Sequence, residues 1–186
     1  FNSNLSGLTI GKTSNTTNIT VTNPITISGP IDIYGGNINV NANLDTQGGG
    51  ANGDILLKSS GDIILAASKS ITSDSGDVIL WSNSDGQTTN GSTFLRSGSS
   101  ITTNGRNLWI GGGSGTTTWN GLTVGDSYTL NNVNDGVHGG IQLGTSANIG
   151  ISLSSGGGDI FLRGKSTQGS TSNESNGIHT FGGFTI

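Results

Sequence analysis

Short apolar runs recur along residues 53–110, and each is bounded by Gly, Asp, Ser or Asn. Such runs are typical of strands that end in turns. Ile55, Ile63, Ile71 and Val78 begin successive runs at spacings of 8, 8 and 7 residues. Three such steps lead from Ile55 to Val78 and make one coil. The pattern therefore predicts a β-solenoid in which Val78 stacks on Ile55 and each face recurs once per coil.

The next coil shows the same period with one displacement. Three pairs of positions on three different faces are separated by the same 30 residues, and they are Ile63 and Thr93, Ile71 and Ile101, and Val78 and Leu108. All three faces are displaced by 7 residues relative to the preceding coil. One insertion explains this common shift, whereas a β-sandwich gives no reason for it. The polar residues 82–91 are the expected insertion.

The pattern extends in both directions from this central part. Residues 31–44 give an earlier coil, in which Ile33 is expected to stack on Ile55 one coil later. Later runs continue the ladder with longer loops, and residues 111–120 are expected to form one of these polar loops. No stretch shows an apolar period of 3.6 residues, so no helix is expected. About seven coils fit the chain.

Composition narrows the class of protein. The chain has 34 Gly, no Cys and only 10% charged residues, which indicates a turn-rich all-β fold without disulfides or thiolate metal sites. A solenoid needs little core per residue, because each coil buries a thin strip against its neighbours. The net charge is −4 and the seven Lys and Arg are scattered, so nucleic-acid binding is not expected. No apolar run is long enough to span a bilayer.

The chain begins at Phe1 without a signal-peptide pattern and contains no Met. We therefore expect a processed product or a fragment of a larger protein, with one solenoid domain over residues 1–186. Residues 1–30, punctuated by Pro24 and Pro30, belong to that domain or form a distinct N-terminal edge or cap.

Residues 61–72 and 75–80 resemble the repeats of filamentous-haemagglutinin-type bacterial exoproteins, which are two-partner-secretion-like adhesins. The resemblance is clear over residues 53–110 and partial at 31–44 and 139–163. It implies an all-β, right-handed, single-stranded parallel β-helix with three faces. It also implies a secreted or cell-surface location and an adhesive or structural function. Self-association, or contact with neighbouring domains of the same exoprotein, is the expected partnership.

Strand alternation separates the inner and outer faces of each predicted strand. Ile55 and Leu57 point inward, and the same phase sends other apolar side chains outward, where a plain shaft would carry Thr, Ser or Asn. Two interpretations stay open. The outward stripe is a lateral contact with another subunit or a ligand surface, or a loop such as residues 82–91 or 111–120 covers it. The residues of the stripe are Leu56, Ile79, Trp81, Trp109 and Phe161.

Two further binding hypotheses concern surface side chains. Trp119 lies inside the sequence Thr-Thr-Thr-Trp-Asn. Its ring could stack on a sugar ring, and it is equally plausible that Trp119 is simply an aromatic residue of a turn. A host or surface glycan is therefore a candidate partner. Ice binding would need an outward Thr-x-Thr ladder in register. The Thr pairs fall mostly in predicted loops, which leaves ice binding as a minor alternative.

An Asp precedes several strands in the sequence Gly-Asp-Ile or Gly-Asp-Val, as at Asp54, Asp62 and Asp77. One interpretation is a corner, in which Gly adopts a positive φ and Asp caps nearby amides. The other is a calcium ladder. Residues 49–56 are the nearest match to the calcium-binding nonapeptide, but Asn52 replaces a Gly there and the motif does not recur in tandem. The corner is favoured, and no cofactor is assigned.

Catalysis is not expected. Two phosphate-loop lookalikes have the wrong spacing between their glycines. His138 and His179 lack metal-ligand partners at a recognisable spacing. Asp54 and Asp77 would stack near the ~5–10 Å that glycosidase carboxylates need, but so would any corner ladder. A polysaccharide-binding or polysaccharide-degrading β-helix protein is the main rival hypothesis, and clustered carboxylate and basic groups in one groove would favour it.

Overall fold

The computed structural model of the chain describes residues 5–46, 48, 52–87, 91–131, 139–145, 149–166 and 176–186. Within them the fold is all-β with almost no helix. The strands stack into three large sheets, in which parallel pairing dominates, and one two-stranded sheet. Every apolar run predicted over residues 53–110 is a strand, which confirms the pattern of short strands and turns.

The strands of each sheet come from widely separated parts of the chain. Sheet A contains β1 (Leu8–Ile10), β4 (Ile31–Gly35), β7 (Ile55–Ser59), β10 (Val78–Ser82), β13 (Leu108–Trp119), β14 (Leu122–Ser127) and β18 (Ile160–Leu162). Sheet B contains β2 (Ile19–Val21), β5 (Ile38–Val40), β8 (Ile63–Leu65), β11 (Thr93–Leu95), β16 (Gly139–Leu143) and β20 (Asn176–Thr180). Sheet C contains β3 (Ile25–Thr26), β6 (Leu44–Asp45), β9 (Ser70–Thr72), β12 (Ser100–Thr102), β17 (Ile151–Ser154) and β21 (Phe184–Thr185). The two-stranded sheet pairs β15 (Thr129–Asn131) with β19 (Gly164–Ser166).

The chain visits sheets A, B and C in turn, so the fold is solenoid-like. Strands β1, β2 and β3 make the first circuit, and β18, β20 and β21 make the last. Sheets B and C have six strands each, one per circuit, so the described strands make six circuits where about seven were expected. The strands that precede Pro30 are in register with the second circuit, with Leu8 opposite Ile31, Ile19 opposite Ile38 and Ile25 opposite Leu44.

The predicted register is confirmed through the centre of the chain. Val78 lies opposite Ile55, and the three pairs that share the common displacement lie opposite each other in sheets A, B and C. One expected pair is wrong, because Ile31 stacks on Ile55 whereas Ile33 stacks on Leu57. The pairing is thus offset by two positions from the expected one, and an even offset keeps the same side chains inside.

Inward side chains form columns that run the length of the solenoid-like stack. In one column of sheet A, Ile31, Ile55, Val78 and Leu108 are all completely buried. Each such side chain contributes about 1.5–3 kcal/mol on burial, before the entropy of ordering the chain is counted. The columns hold consecutive circuits together because most inner positions rest on apolar positions above and below, with Thr93 as a buried polar exception between Ile63 and Ile141.

Residues 111–120 were expected to form a polar loop, and that expectation is wrong. Strand β13 continues to Trp119 and returns antiparallel as β14, with Trp119 opposite Leu122. Asn120 and Gly121 form the two-residue turn with φ of 47° and 81°. A type I′ hairpin turn needs positive φ at both positions, which Asn-Gly adopts readily. The chain therefore leaves the stack after Ile110 as an inserted antiparallel hairpin instead of a polar loop.

Candidate functional site

The β13–β14 hairpin folds back over the outer face of sheet A. Val124 on β14 is completely buried and packs against Trp81 and Trp109, which are 3% and 1% exposed. Four partly buried apolar side chains surround this group: Ile79, Trp119, Leu122 and Phe161. We call these seven residues the hairpin cluster. It is separate from the interior columns, because it lies on the opposite face of sheet A.

Aromatic contacts give the hairpin cluster a defined geometry. The ring of Trp109 stacks parallel on Phe161 at 6.2 Å and meets Trp81 edge-on at 6.3 Å. The ring of Trp119 tilts against Phe161 at 5.4 Å. The indole Nε1 of Trp81 donates a hydrogen bond of 2.8 Å to the carbonyl oxygen of Gly113. That bond satisfies the one polar group that the buried Trp81 side chain brings into the cluster.

The predicted outward stripe therefore divides into a covered part and a partly open part. Trp81 and Trp109 are buried beneath the hairpin, whereas Leu56, Ile79 and Phe161 are half-buried. A lateral contact of the stripe with another subunit or a ligand stays a prediction. In this structure such a contact would involve the half-buried side chains of Leu56, Ile79 and Phe161.

Lys58 borders the covered part of the stripe. Its ammonium lies 3.6 Å from the centroid of the Trp81 ring, a cation–π contact. Burial lowers the pKa of Lys58 from its ordinary value, since the charged form loses solvation beside the indole. Tyr34 lies opposite Lys58 on the neighbouring strand, so this edge of the hairpin cluster carries both polar and aromatic groups.

A ladder of polar side chains runs along the corner before the strands of sheet A. The backbone N–H of Asp77 donates to Asp54 Oδ1 at 2.7 Å, and that of Asn107 donates to Asp77 Oδ1 at 2.8 Å. The N–H of Asp159 donates in the same way to Asn107 Oδ1 at 3.1 Å. Each corner side chain thus accepts the amide of the next circuit. The corner interpretation of these Asp residues is confirmed, but the amides are one circuit away rather than local.

A second ladder repeats this arrangement before the strands of sheet B. The N–H of Asn37 donates to Asn18 Oδ1 at 2.8 Å, and the N–H of Asp62 donates to Asn37 Oδ1 at 2.9 Å. Ser92 then donates both its N–H and its hydroxyl to Asp62 Oδ1. Side-chain oxygens at two corners therefore add inter-circuit hydrogen bonds to those of the strands.

The glycines before these corner residues have a different role from the expected one. Gly53, Gly61, Gly76 and Gly158 do not adopt positive φ. A Cβ at Gly76 would collide with the backbone of Gly53, and one at Gly158 would collide with the backbone of Arg106. The expectation of positive φ at the Gly-Asp corners is therefore wrong. Glycine is needed there because adjacent circuits approach too closely for a side chain.

Charged side chains lie close together along or beside the corner that precedes the strands of sheet A. Arg106 forms an ion pair with Asp77 at 3.3 Å, and the Asp77 side chain is 3% exposed. Burial, with a smaller contribution from Asp54, raises the pKa of Asp32. Burial also raises the pKa of Asp54, and Asp77 adds to the rise while its backbone amide and Arg106 oppose it. No group of three or more potential metal ligands is present among the described residues.

At both ends of the stack part of the interior columns is uncovered within the described residues, although Val21 and Ile25 of the first circuit are buried. Leu8, Ile10 and Ile19 in the first circuit are half-buried, although their column neighbours in the next circuit are completely buried. At the other end Ile178 is 40% and Ile186 is 74% exposed. An apolar cleft of about 380 Å³ opens at the N-terminal end and is lined by residues that include Ile10, Ile19, Val21 and Ile25.

The remaining predicted residues lie outside these features or at their edges. Trp119 is half-buried against Phe161 and so offers at most part of its ring to a ligand. His179 stacks on Phe181 at 4.4 Å. His138 lies outside the described residues. Part of the 49–56 segment, the nearest match to a calcium repeat, also lies outside them.

Comparisons with known proteins return no similar protein. No family model, no curated protein and no solved structure matches this chain. Within the described ranges, no helix is both long and apolar enough to cross a membrane.

Proposed function

We propose that this chain is a right-handed, three-faced parallel β-helix that acts as a structural and adhesive segment of a secreted or surface-displayed bacterial adhesin or extracellular fibre. In this proposal the segment has no catalytic function and binds further circuits at its ends. The observation that carries the proposal is the partial exposure of interior columns at both ends of the stack, at Leu8, Ile10 and Ile19 and at Ile178.

The two ends are complementary to each other because they belong to the same columns. Leu8 begins the column that Ile160 ends, and Ile19 begins the column that Ile178 ends. A second stack placed head to tail would continue these columns in register. The outer strands β1, β2 and β3, and β18, β20 and β21, have a neighbour in the described structure on only one side. Such edges favour pairing with another strand.

The first corner ladder supports the same mode of association. Asp159 is the last corner residue of this ladder, and in each preceding circuit a corner side chain accepts the amide of the circuit that follows. Asp159 Oδ2 already accepts a hydrogen bond from Asn120 Nδ2 at 2.6 Å, which holds the carboxylate at the corner. A following circuit would find an acceptor in the position that the ladder uses. That circuit comes from a neighbouring copy or from a neighbouring domain of the same exoprotein.

The rival proposal of a polysaccharide-active enzyme has weaker support. Asp54, Asp77 and Arg106 do cluster, but they lie along a corner and their oxygens hold protein groups. Asp77 is also buried, so a substrate could not reach its carboxylate without disrupting the ladder. A glycosidase needs one carboxylic acid and one carboxylate that both reach the sugar.

Light scattering of the purified chain, with electron micrographs of the same sample, tests the end-to-end contact. We expect concentration-dependent oligomers or filaments in the unmodified chain. Ile178→Lys places a charge on the uncovered end of a column and is expected to abolish them. Ile149→Lys is the matched control, because Ile149 is 55% exposed but lies outside the interior columns. It changes the net charge equally and should leave assembly intact.

Two results would contradict the proposal of association through the ends. One is a monodisperse monomer at all concentrations for the unmodified chain. The other is assembly that Ile149→Lys and Ile178→Lys weaken equally, which would indicate a general effect of charge. Release of reducing sugar from a panel of polysaccharides would favour the enzyme instead.

A further inference from the structure

A polar cleft lies at the base of the hairpin, between the loop after β10 and the end of β14. Its volume is about 290 Å³. Ligand-binding clefts span about 300–1,000 Å³, so this one is at the small end of the range and suits a single ring rather than a chain. Its wall includes Gln87, Ser114, Asp126, Ser127 and Tyr128.

The wall has hydrogen-bonding groups that the described part of the chain does not use. Asp126 Oδ1 accepts the N–H of Gly115 at 3.2 Å, while Oδ2 has no hydrogen-bond partner among the described residues. The same holds for the amide of Gln87 and the hydroxyl of Ser114. Asn83 also lines the cleft; it is 4% exposed, and its Oδ1 has no partner in the described structure. An unsatisfied buried amide oxygen is rare and calls for an explanation.

The cleft has one aromatic ring held at its edge. Tyr128 is half-buried, and the ammonium of Lys165 donates to its hydroxyl at 3.0 Å and lies 4.8 Å from its ring centroid. The one aliphatic side chain in the lining, Leu130, is itself 5% exposed. The cleft therefore lacks the apolar pocket that a hydrophobic peptide side chain or a lipid needs.

This chemistry matches a sugar ring. A pyranose presents hydroxyl groups around its rim and C–H groups on its faces, so carboxylate and amide groups bind the rim while an aromatic ring covers a face. The Asp126 carboxylate disfavours a sugar acid. The nearby Arg163 does not offset it as an ion pair, because its guanidinium donates to the Asp126 backbone carbonyl at 3.1 Å.

We propose that this cleft binds a single neutral pyranose unit. The site is independent of the end-to-end contacts, since it lies beside the hairpin on residues that take no part in the interior columns. It would give the segment a ligand of its own in addition to its structural role. Trp119, the residue that the sequence suggested for sugar stacking, is not in the lining.

Two-dimensional 1H–15N NMR spectra, recorded while a sugar is added, test the site. The probes are the methyl glycosides of α-mannose, β-glucose and β-galactose, each added separately. We expect saturable shifts of the amides of Gly86, Gly113 and Ser127 with at least one of them, and a dissociation constant on the order of 1 mM because the site is small.

Matched variants identify the groups that bind. Asp126→Asn keeps an oxygen for the Gly115 amide but removes the charge, and binding should weaken about tenfold. Tyr128→Leu should weaken it as well. Asp85→Asn is the control, because Asp85 is exposed on the same loop and does not line this cleft, and Asn keeps the oxygen that accepts the N–H of Gln87 at 3.1 Å. Its affinity should equal that of the unmodified chain.

The proposal is overturned if none of the three glycosides shifts these amides, or if Asp126→Asn binds as tightly as the unmodified chain. Shifts confined to the adjoining polar groove lined by Asn18 and Asn37, which shares only Gln87 with the cleft, would also overturn it. Amide shifts of Asp126→Asn away from the cleft must match those of the unmodified chain, which shows that the variant is folded. If Tyr128→Leu does not fold, the affinity of Asp126→Asn alone tests the proposal. Assembly is measured separately, so either proposal can fail alone.

Discussion

Replacing Trp109 with Ala tests whether the hairpin is a separate layer laid over the stack. Trp109 is 1% exposed and lies on the outer face of sheet A, where it contacts Trp81 and Phe161. The interior columns lie on the other face of the same sheet. We therefore expect this substitution to release the hairpin while the columns stay packed.

The expected loss is large on the scale of single substitutions. Removing a fully buried Trp costs about 3–5 kcal/mol. The two aromatic pairs, at 6.2 and 6.3 Å, account for about 1–3 kcal/mol of that sum. If about 3 kcal/mol of the loss falls on hairpin opening, the opening equilibrium shifts by roughly 100-fold, because 1.4 kcal/mol corresponds to a factor of ten.

Native-state hydrogen exchange measures this opening residue by residue. In Trp109→Ala the amide of Val124 should exchange roughly 100-fold faster, whereas the amide of Leu57 in the stack should change little. Trp119→Ala is the graded control. Trp119 is half-buried and contacts Phe161 through one ring pair, so it should accelerate Val124 by about tenfold or less.

Two outcomes would refute this reasoning. If Leu57 and Val124 accelerate by the same factor, the hairpin and the stack unfold as one cooperative unit. If Val124 does not accelerate at all, the hairpin cluster is not what holds the hairpin in place.

Two further predictions concern a corner glycine and the carboxyl group of Asp32 on β4. Gly76→Ala should lower the melting temperature by the equivalent of about 1–3 kcal/mol, because the new Cβ meets the backbone of Gly53. Gly183→Ala is the control, since a Cβ there meets open space and should leave the melting temperature nearly unchanged. Equal melting temperatures for the two variants would contradict the close approach of adjacent circuits at Gly76. Burial raises the pKa of Asp32 with help from Asp54, so the folded state binds this proton more tightly and stability falls as pH rises through the folded-state pKa. Asp32→Asn should therefore raise the melting temperature near neutral pH and leave it unchanged well below the ordinary Asp pKa of about 3.9; a gain that persists at acid pH would contradict this assignment.

The period of the apolar runs is enough to predict the strands and most of their register. The spacing from Ile55 to Val78, and the common displacement at Ile71 and Val78, assign the strands to three recurring sets, and each set lies within one of the three large sheets. This works because each strand has only a few residues, and the inward positions are apolar in nearly every circuit, with Thr93 as an exception. The sequence also predicts the corner position of Asp54 and Asp77, because the Gly-Asp motif recurs immediately before the strands.

The hairpin was not predicted, although its Asn120-Gly121 turn is visible in the sequence. After Ile110 its strand β13 is rich in Gly and Thr, so that part carries no apolar alternation, and the apolar partners of the hairpin lie far away in the chain. The reason for the corner glycines was equally hidden, because Gly76 and Gly53 meet only when two circuits stack.

The periodic sequence thus encodes the stack itself, since the same short-range pattern is repeated in each circuit and hydrophobic burial selects one register for it. Tertiary structure alone decides what the outer surface exposes. Trp81 and Trp109 become buried, and Asp126 and Tyr128 come to share a cleft, only because one inserted hairpin folds back over sheet A. Contacts between a unique insertion and a repeated scaffold leave no period along the chain, so no pattern of neighbouring residues predicts them.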